Sequence, residues 1–195
     1  MEIINREMWL NEMAKKLYVR FSEQGYEKTP EKIRISCSFP SRGAFSESNR
    51  VLGQCWSNET SEDDTIEIMI SHTVSDSIRV ADILTHELVH AFVGNAAGHG
   101  KIFRKCALAI GLQGKMTSTY AGPQLTEFFK ECIEELGEYP HASLNSKKKK
   151  KKQGTRQLKL VCKDGHDEYI VRLSKQTYEA GIPLCGLCHK AMNLQ

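Results

Sequence analysis

Five consecutive residues, His86-Glu87-Leu88-Val89-His90, constrain this chain more than any others. They lie in a run from Arg79 to Val93 whose Ile83, Leu84, Leu88, Val89 and Phe92 recur at helical spacing, so the segment reads as a buried helix. Residues four apart share a helix face, which lets His86 and His90 turn toward one metal ion, with Glu87 beside the first of them. Two imidazole ligands and a carboxylate able to take a proton from water are the parts of a hydrolytic zinc centre. Such a helix has to be firmly packed, because loose ligands do not hold an open coordination geometry. Asp76 is the expected N-cap, and Gly94-Asn95 the expected stop.

A third ligand is then required, since catalytic zinc takes three protein ligands and keeps one position for water. His99, in Gly98-His99-Gly100, is the candidate, and the flanking glycines allow a close approach. The spacing is H-E-x-x-H-x8-H.

Around this segment the chain alternates helical and strand-like patterns. Trp9, Met13, Leu17 and Phe21 make an apolar stripe on a helix over residues 5–24. Ile33, Ile35, Cys37 and Phe39 alternate with polar residues, as do Ile66, Ile68 and Ile70. Val51 to Trp56 is a weaker strand, and the polar stretch Ser57 to Asp64 predicts a hairpin between it and the next. Further helices are expected over 100–110, with Ile102, Phe103, Cys106 and Ala109 inward, and from Pro123 to Gly137. Cys37, Cys55, Cys106, Cys132 and Met116 read as packing residues, and His72 as surface.

Charge divides the chain in two. Residues 1–146 hold 15 Lys and Arg against 20 Asp and Glu, whereas residues 147–195 hold 12 against 4. The unbroken run Lys147, Lys148, Lys149, Lys150, Lys151 and Lys152 has no apolar face and reads as a flexible linker. A basic tail on an acidic body also points to an anionic partner, nucleic acid above all, with these six lysines as phosphate contacts. A plain solubilising linker is the alternative. The expected division is 1–142 for the metal-binding domain, 143–157 for the linker and 158–195 for a small module. No stretch is apolar enough to span a membrane, and the polar start Met1-Glu2-Ile3-Ile4-Asn5-Arg6 does not read as a secretory leader, so a cytoplasmic protein is expected.

The module carries a second metal motif. Cys185-Gly186-Leu187-Cys188 has the spacing of a zinc knuckle, and Cys162 with His166 supplies a second pair. Cys162, His166, Cys185 and Cys188 would close a structural zinc site on a unit too small to fold on its own core. His189 remains an alternative to His166, and a redox-active cysteine pair an alternative to metal.

Together these residues resemble the SprT-like family. The resemblance rests on His86-Glu87-x-x-His90, Gly98-His99-Gly100-x-x-Phe103, Gly111-Leu112 to Gly114-Lys115-Met116-Thr117, and Tyr139-Pro140-His141. It extends to the lysine-rich connector and the terminal cysteines, and so covers nearly the whole chain. It is nearer in size to bacterial and bacteriophage members, in which case the compartment is a bacterial or host cytoplasm. The chain departs from the family's pattern at Gly165, where related ribbons carry the second cysteine of a Cys-x-x-Cys pair.

The resemblance implies an α+β, zincin-like domain with a small antiparallel sheet packed on helices, followed by a zinc ribbon. It implies His86, His90 and His99 as ligands of a catalytic Zn2+ and Glu87 as the base. An edge strand beside the cleft would hold extended polypeptide. Eukaryotic relatives degrade proteins crosslinked to DNA, so the expected activity is that of a zinc metalloendopeptidase acting on DNA-associated proteins, reaching DNA through linker and ribbon. The alternative is a zinc-stabilised, nucleic-acid-binding, transcription-associated protein with little or no proteolysis.

Overall fold

The computed structural model describes residues 3, 5–30, 32–46, 48–144 and 157–195. The lysine run Lys147 to Lys152 lies outside the described residues. The chain divides into two units, residues 1–147 and 148–195, both of mixed α and β structure with small sheets.

The N-terminal unit begins with helix α1 (Arg6–Glu23), capped by the Asn5 side chain, which accepts the Met8 N–H at 2.8 Å. The stripe Trp9, Met13, Leu17 and Phe21 is fully buried, as a repeat of four on an amphipathic helix requires. Strands β1 (Ile33–Cys37), β2 (Gly53–Trp56) and β3 (Ile66–Ile70) form a sheet in the order β1-β3-β2. Helix α2 (Ser77–Val93) packs against α1, against β2 and β3, and against the elements that follow: α3 (Lys101–Ile110), the hairpin β4 (Leu112–Lys115) and β5 (Ser118–Ala121), and α4 (Pro123–Leu136).

Burial of Val80, Leu84, Leu88 and Val89 fixes α2 in this core. Truncating either of the leucines to alanine costs about 2–5 kcal/mol. The Asp76 carboxylate caps α2 by accepting the Arg79 N–H at 2.7 Å, and Gly94 ends it at φ 83°. The start of α2 is tied to the far end of the unit: Ser77 Oγ accepts the Tyr139 N–H at 2.8 Å and donates to the Glu138 carboxylate. No described helix is long and apolar enough to cross a membrane.

Four details depart from the sequence-based expectation. The three-stranded sheet is mixed rather than antiparallel: β2 pairs antiparallel with β3 as expected, but β1 pairs parallel with β3, Ile33 opposite Ile66. The long connection from β1 to β2 crosses one end of the sheet and leaves a central slot, which β3 fills on its return. Phe39 lies beyond β1, before Pro40, and packs on Phe45 and on the half-buried ring of His72, which is therefore not ordinary surface. Ile102 is 63% exposed, because the buried face of α3 is Phe103, Cys106, Ala107 and Ile110. The β4–β5 hairpin is not signalled by the sequence pattern; Met116 in its turn is buried.

The C-terminal unit holds β6 (Gln157–Val161), β7 (Ile170–Ser174), the short helix α5 (Lys175–Ala180) and β8 (Asn193–Leu194), with strand order β7-β6-β8. Among the described residues its buried apolar core is Leu160, Cys162, Cys185 and Met192, so half of it is cysteine.

Candidate metal centres

The three histidines singled out by spacing converge. His86 and His90 project from one face of α2, and His99 reaches them from the turn before α3. His99 Nε2 lies 3.2 Å from His86 Nε2 and 3.2 Å from His90 Nε2. Phe103, wholly buried one turn into α3, packs against all three imidazoles, at centroid distances of 5.0, 4.5 and 5.0 Å from His86, His90 and His99. The group could hold a metal ion.

The electrostatics suit ligands. Burial lowers the His86 pKa to about 3, with His90, His99 and Arg79 adding to the shift. Burial and His99 lower His90 to about 4, and partial loss of hydration against the neighbouring rings lowers the more exposed His99. At neutral pH the rings are uncharged, with lone pairs free for a metal. His86 Nδ1 lies 2.8 Å from the hydroxyl of buried Thr119. With Nδ1–H donating to that oxygen, the ring's lone pair sits on Nε2, the atom that faces the other two histidines.

Glu87 is buried beside the triad, and burial pushes its pKa up to about 8, partly offset by the Cys55 backbone N–H. Strand β2 crosses directly over it. A Cβ on Gly53 would sit 2.5 Å from Glu87 Oε1 and 2.7 Å from Ile83 Cγ2, so this strand position has to be glycine. Asn95, just past α2, donates its side-chain N–H to the Cys55 carbonyl at 2.9 Å and ties the helix end to the same strand.

A cleft of about 840 Å³ opens over the triad. Glu87 and the three histidines line it, together with residues 49–55, Lys115 and residues 117–119. Asp82 and Arg79, one and two turns before His86, also line it as an ion pair. Asp82 is buried, which raises its pKa to about 6 against the pull of Arg79.

The second group gathers Cys162, His166, Cys185 and Cys188, all of which could ligate one metal ion. Cys162 Sγ is 3.5 Å from Cys188 Sγ and 3.8 Å from His166 Nδ1, and Cys185 Sγ is 3.8 Å from His166 Nδ1. His189 is outside the group: its N–H bonds to the Cys185 carbonyl at 2.9 Å, and its φ of 58° closes the knuckle turn. Burial opposes ionisation of Cys185, but the Cys188 and Leu187 backbone N–H groups outweigh it and lower the thiol's pKa. Gly186 lets Tyr169 pack close, since a Cβ there would meet the phenol oxygen at 2.5 Å.

Sequence reasoning missed Gly53, Thr119 and the Arg79–Asp82 pair. A glycine within a strand pattern and a lone acid within an apolar helix were the available signals for the first and last; Thr119 had none. No family model, curated protein or solved structure matches the chain.

Proposed function

We propose that the N-terminal unit is a zincin-like, zinc-dependent metallopeptidase of the SprT-like kind, and that the C-terminal unit is a zinc ribbon. One observation carries the reading: three neutral imidazoles converge on an open cleft with a buried carboxylate beside them. Tetrahedral zinc with Zn–N of about 2.0–2.1 Å separates its ligand nitrogens by about 3.3 Å, close to the 3.2 Å found here. Zinc held there supplies Lewis acidity to a water and to a peptide carbonyl, and a positive charge that favours ionised Glu87.

The chain's own residues do the rest. Glu87 takes the proton of the attacking water and delivers it to the leaving amide nitrogen. Thr119 keeps His86 in the ligating tautomer. Strand β2 is one edge of its sheet, and its Gly53 lies against Glu87, so an extended polypeptide added along this edge would pass the base.

The C-terminal distances fit a closed Cys3His zinc site, for which tetrahedral edges of about 3.6–3.8 Å follow from the usual bond lengths. DNA-associated protein is the proposed substrate, and the basic segment carries that step. Residues 157–195 hold five Lys and Arg against four Asp and Glu, so the tail's charge resides in the lysine run and Arg156. Within the C-terminal unit, Lys159 stands opposite Arg172 across β6 and β7 without an ion-pair partner among the described residues, an arrangement that an anion would relieve.

The second reading, a nucleic-acid-binding protein without proteolysis, draws on the same charge. It leaves the buried Glu87 unexplained, since a purely structural triad needs no base. Incubating the zinc-loaded protein with a test protein, free and bound to DNA, and reading products by mass spectrometry separates the two. Cut peptide bonds, more of them on DNA, are expected; DNA binding with no cut products would favour the second reading.

A further inference from the structure

The face of α2 that carries His86 continues toward the helix start through Asp82 and Arg79, four and seven residues earlier, so the three side chains stack turn upon turn. Strand β5 packs on this helix. Arg79 pairs with Asp82 and also donates to the Thr119 carbonyl at 3.4 Å. The hydroxyl of the same threonine meets His86 Nδ1. Among the described residues, His86 is the one histidine of the three whose second ring nitrogen has a hydrogen-bond partner.

We infer that Arg79, Asp82 and Thr119 are positioning residues for the metal: Asp82 anchors Arg79, Arg79 holds the β5 backbone at Thr119, and the Thr119 hydroxyl fixes the His86 ring. Three observations carry this. Asp82 is 3% exposed in an otherwise apolar stretch, Val80-Ala81-Asp82-Ile83-Leu84, where a buried carboxylate costs stability that an apolar side chain of similar volume would not. Its partner does not stop at neutralising it but reaches across to another element. That element presents the hydroxyl that selects the tautomer leaving Nε2 free. Imidazole ligands held through their second nitrogen bind metal more tightly, and losing such a partner weakens affinity about 10- to 100-fold.

The inference rests on metal binding by the triad and not on peptide hydrolysis, so its test reads affinity. The full-length protein is loaded with zinc and titrated with a chelator, with the Cys3His site as internal reference. Thr119→Val keeps the side-chain shape and removes the oxygen; zinc at the triad should weaken about 10- to 100-fold while the second site is unchanged. Thr119→Ser, which restores the oxygen, should return affinity to within about threefold of wild type. Asp82→Asn should weaken it about tenfold, and adding it to Thr119→Val should weaken it no further, because both act along one path.

Unchanged affinity in Thr119→Val, failure of Thr119→Ser to rescue, or additive losses in the double variant would each overturn the inference. A wild-type chain that takes up zinc only at the cysteines would instead overturn the metal reading of the triad, and the inference with it.

Discussion

Three candidate ligands face a cleft in the N-terminal unit, whereas four candidate ligands close on one another in the C-terminal unit. Two of the first set, His86 and His90, are mounted on a helix buried in a large core, with Trp9, Phe21, Leu84, Leu88, Phe103 and Phe129 fully enclosed, and His99 joins them from the turn before α3. Two of the second set, Cys162 and Cys185, make up half of a four-residue core. On the proposed zinc reading, the two units differ in where their stability comes from. A scaffold that folds without metal can leave a coordination position open and keep a carboxylate beside it. A unit that depends on metal to fold has to spend every position on the protein.

The largest effect that would break this comparison lies in the C-terminal unit. Cys185→Ser should unfold it, since structural zinc supplies on the order of 10 kcal/mol to units of this size. Hydrogen exchange should then show the β6–β7 amides unprotected while those of α2 stay protected. Persistent protection in β6 and β7 would mean that the small apolar core suffices.

The next effect tests how the larger core carries buried charge. Burial raises the Asp82 pKa from 3.8 to about 6, so the ionised side chain costs stability. Below pH 3.8 the carboxyl is protonated in both folded and unfolded chains and the cost is absent; it grows as pH rises and is complete above about 6. Metal-free Asp82→Asn should therefore gain on wild type between about pH 4 and 7, by at most about 3 kcal/mol. Denaturant unfolding at the two pH values measures this, and a gap that widens toward acid would contradict it.

A smaller effect is expected where the ligands are dispensable for folding. His99→Ala should empty the triad and leave metal-free stability within about 1 kcal/mol of wild type, since His99 is exposed. Metal analysis should fall from two zinc ions per chain to one. The smallest effect concerns partners. Neutralising Lys147 to Lys152 should weaken DNA binding for all sequences alike and flatten its salt dependence, by about 0.9 in the log–log slope for each phosphate no longer neutralised. Removing residues 157–195 but keeping the lysines should change that slope little, because this stretch is nearly neutral. Fluorescence anisotropy at several salt concentrations decides.

What was legible in the sequence tracks periodicity and punctuation. The α1 stripe, the Asp76 cap, the Gly94 stop and the placement of His86, His90 and His99 all follow from local rules that the core reinforces. The β4–β5 hairpin was not legible, because Leu112-Gln113-Gly114-Lys115 is too short and too polar to alternate. Its glycine serves geometry instead: Gly114 has φ 92°, and a Cβ there would collide with the Tyr120 ring. Thr119 went unseen for the same reason, since its role depends on where the hairpin lands on α2. The parallel pairing of β1 with β3 was likewise hidden, as it depends on a long connection and not on the strands. His166 and His189 could not be separated by spacing; the turn geometry at His189 separates them.

We propose the open triad as a hydrolytic centre with Glu87 as its base. Glu87→Gln keeps the volume and all seven proposed ligands, so the direct measurement pairs metal content with cleavage rate in wild type and variant. Two zinc ions per chain are expected in both, with cleavage of a test protein lowered about 10²- to 10⁴-fold in the variant. A variant that holds both metals and cleaves as fast as wild type would contradict the proposal.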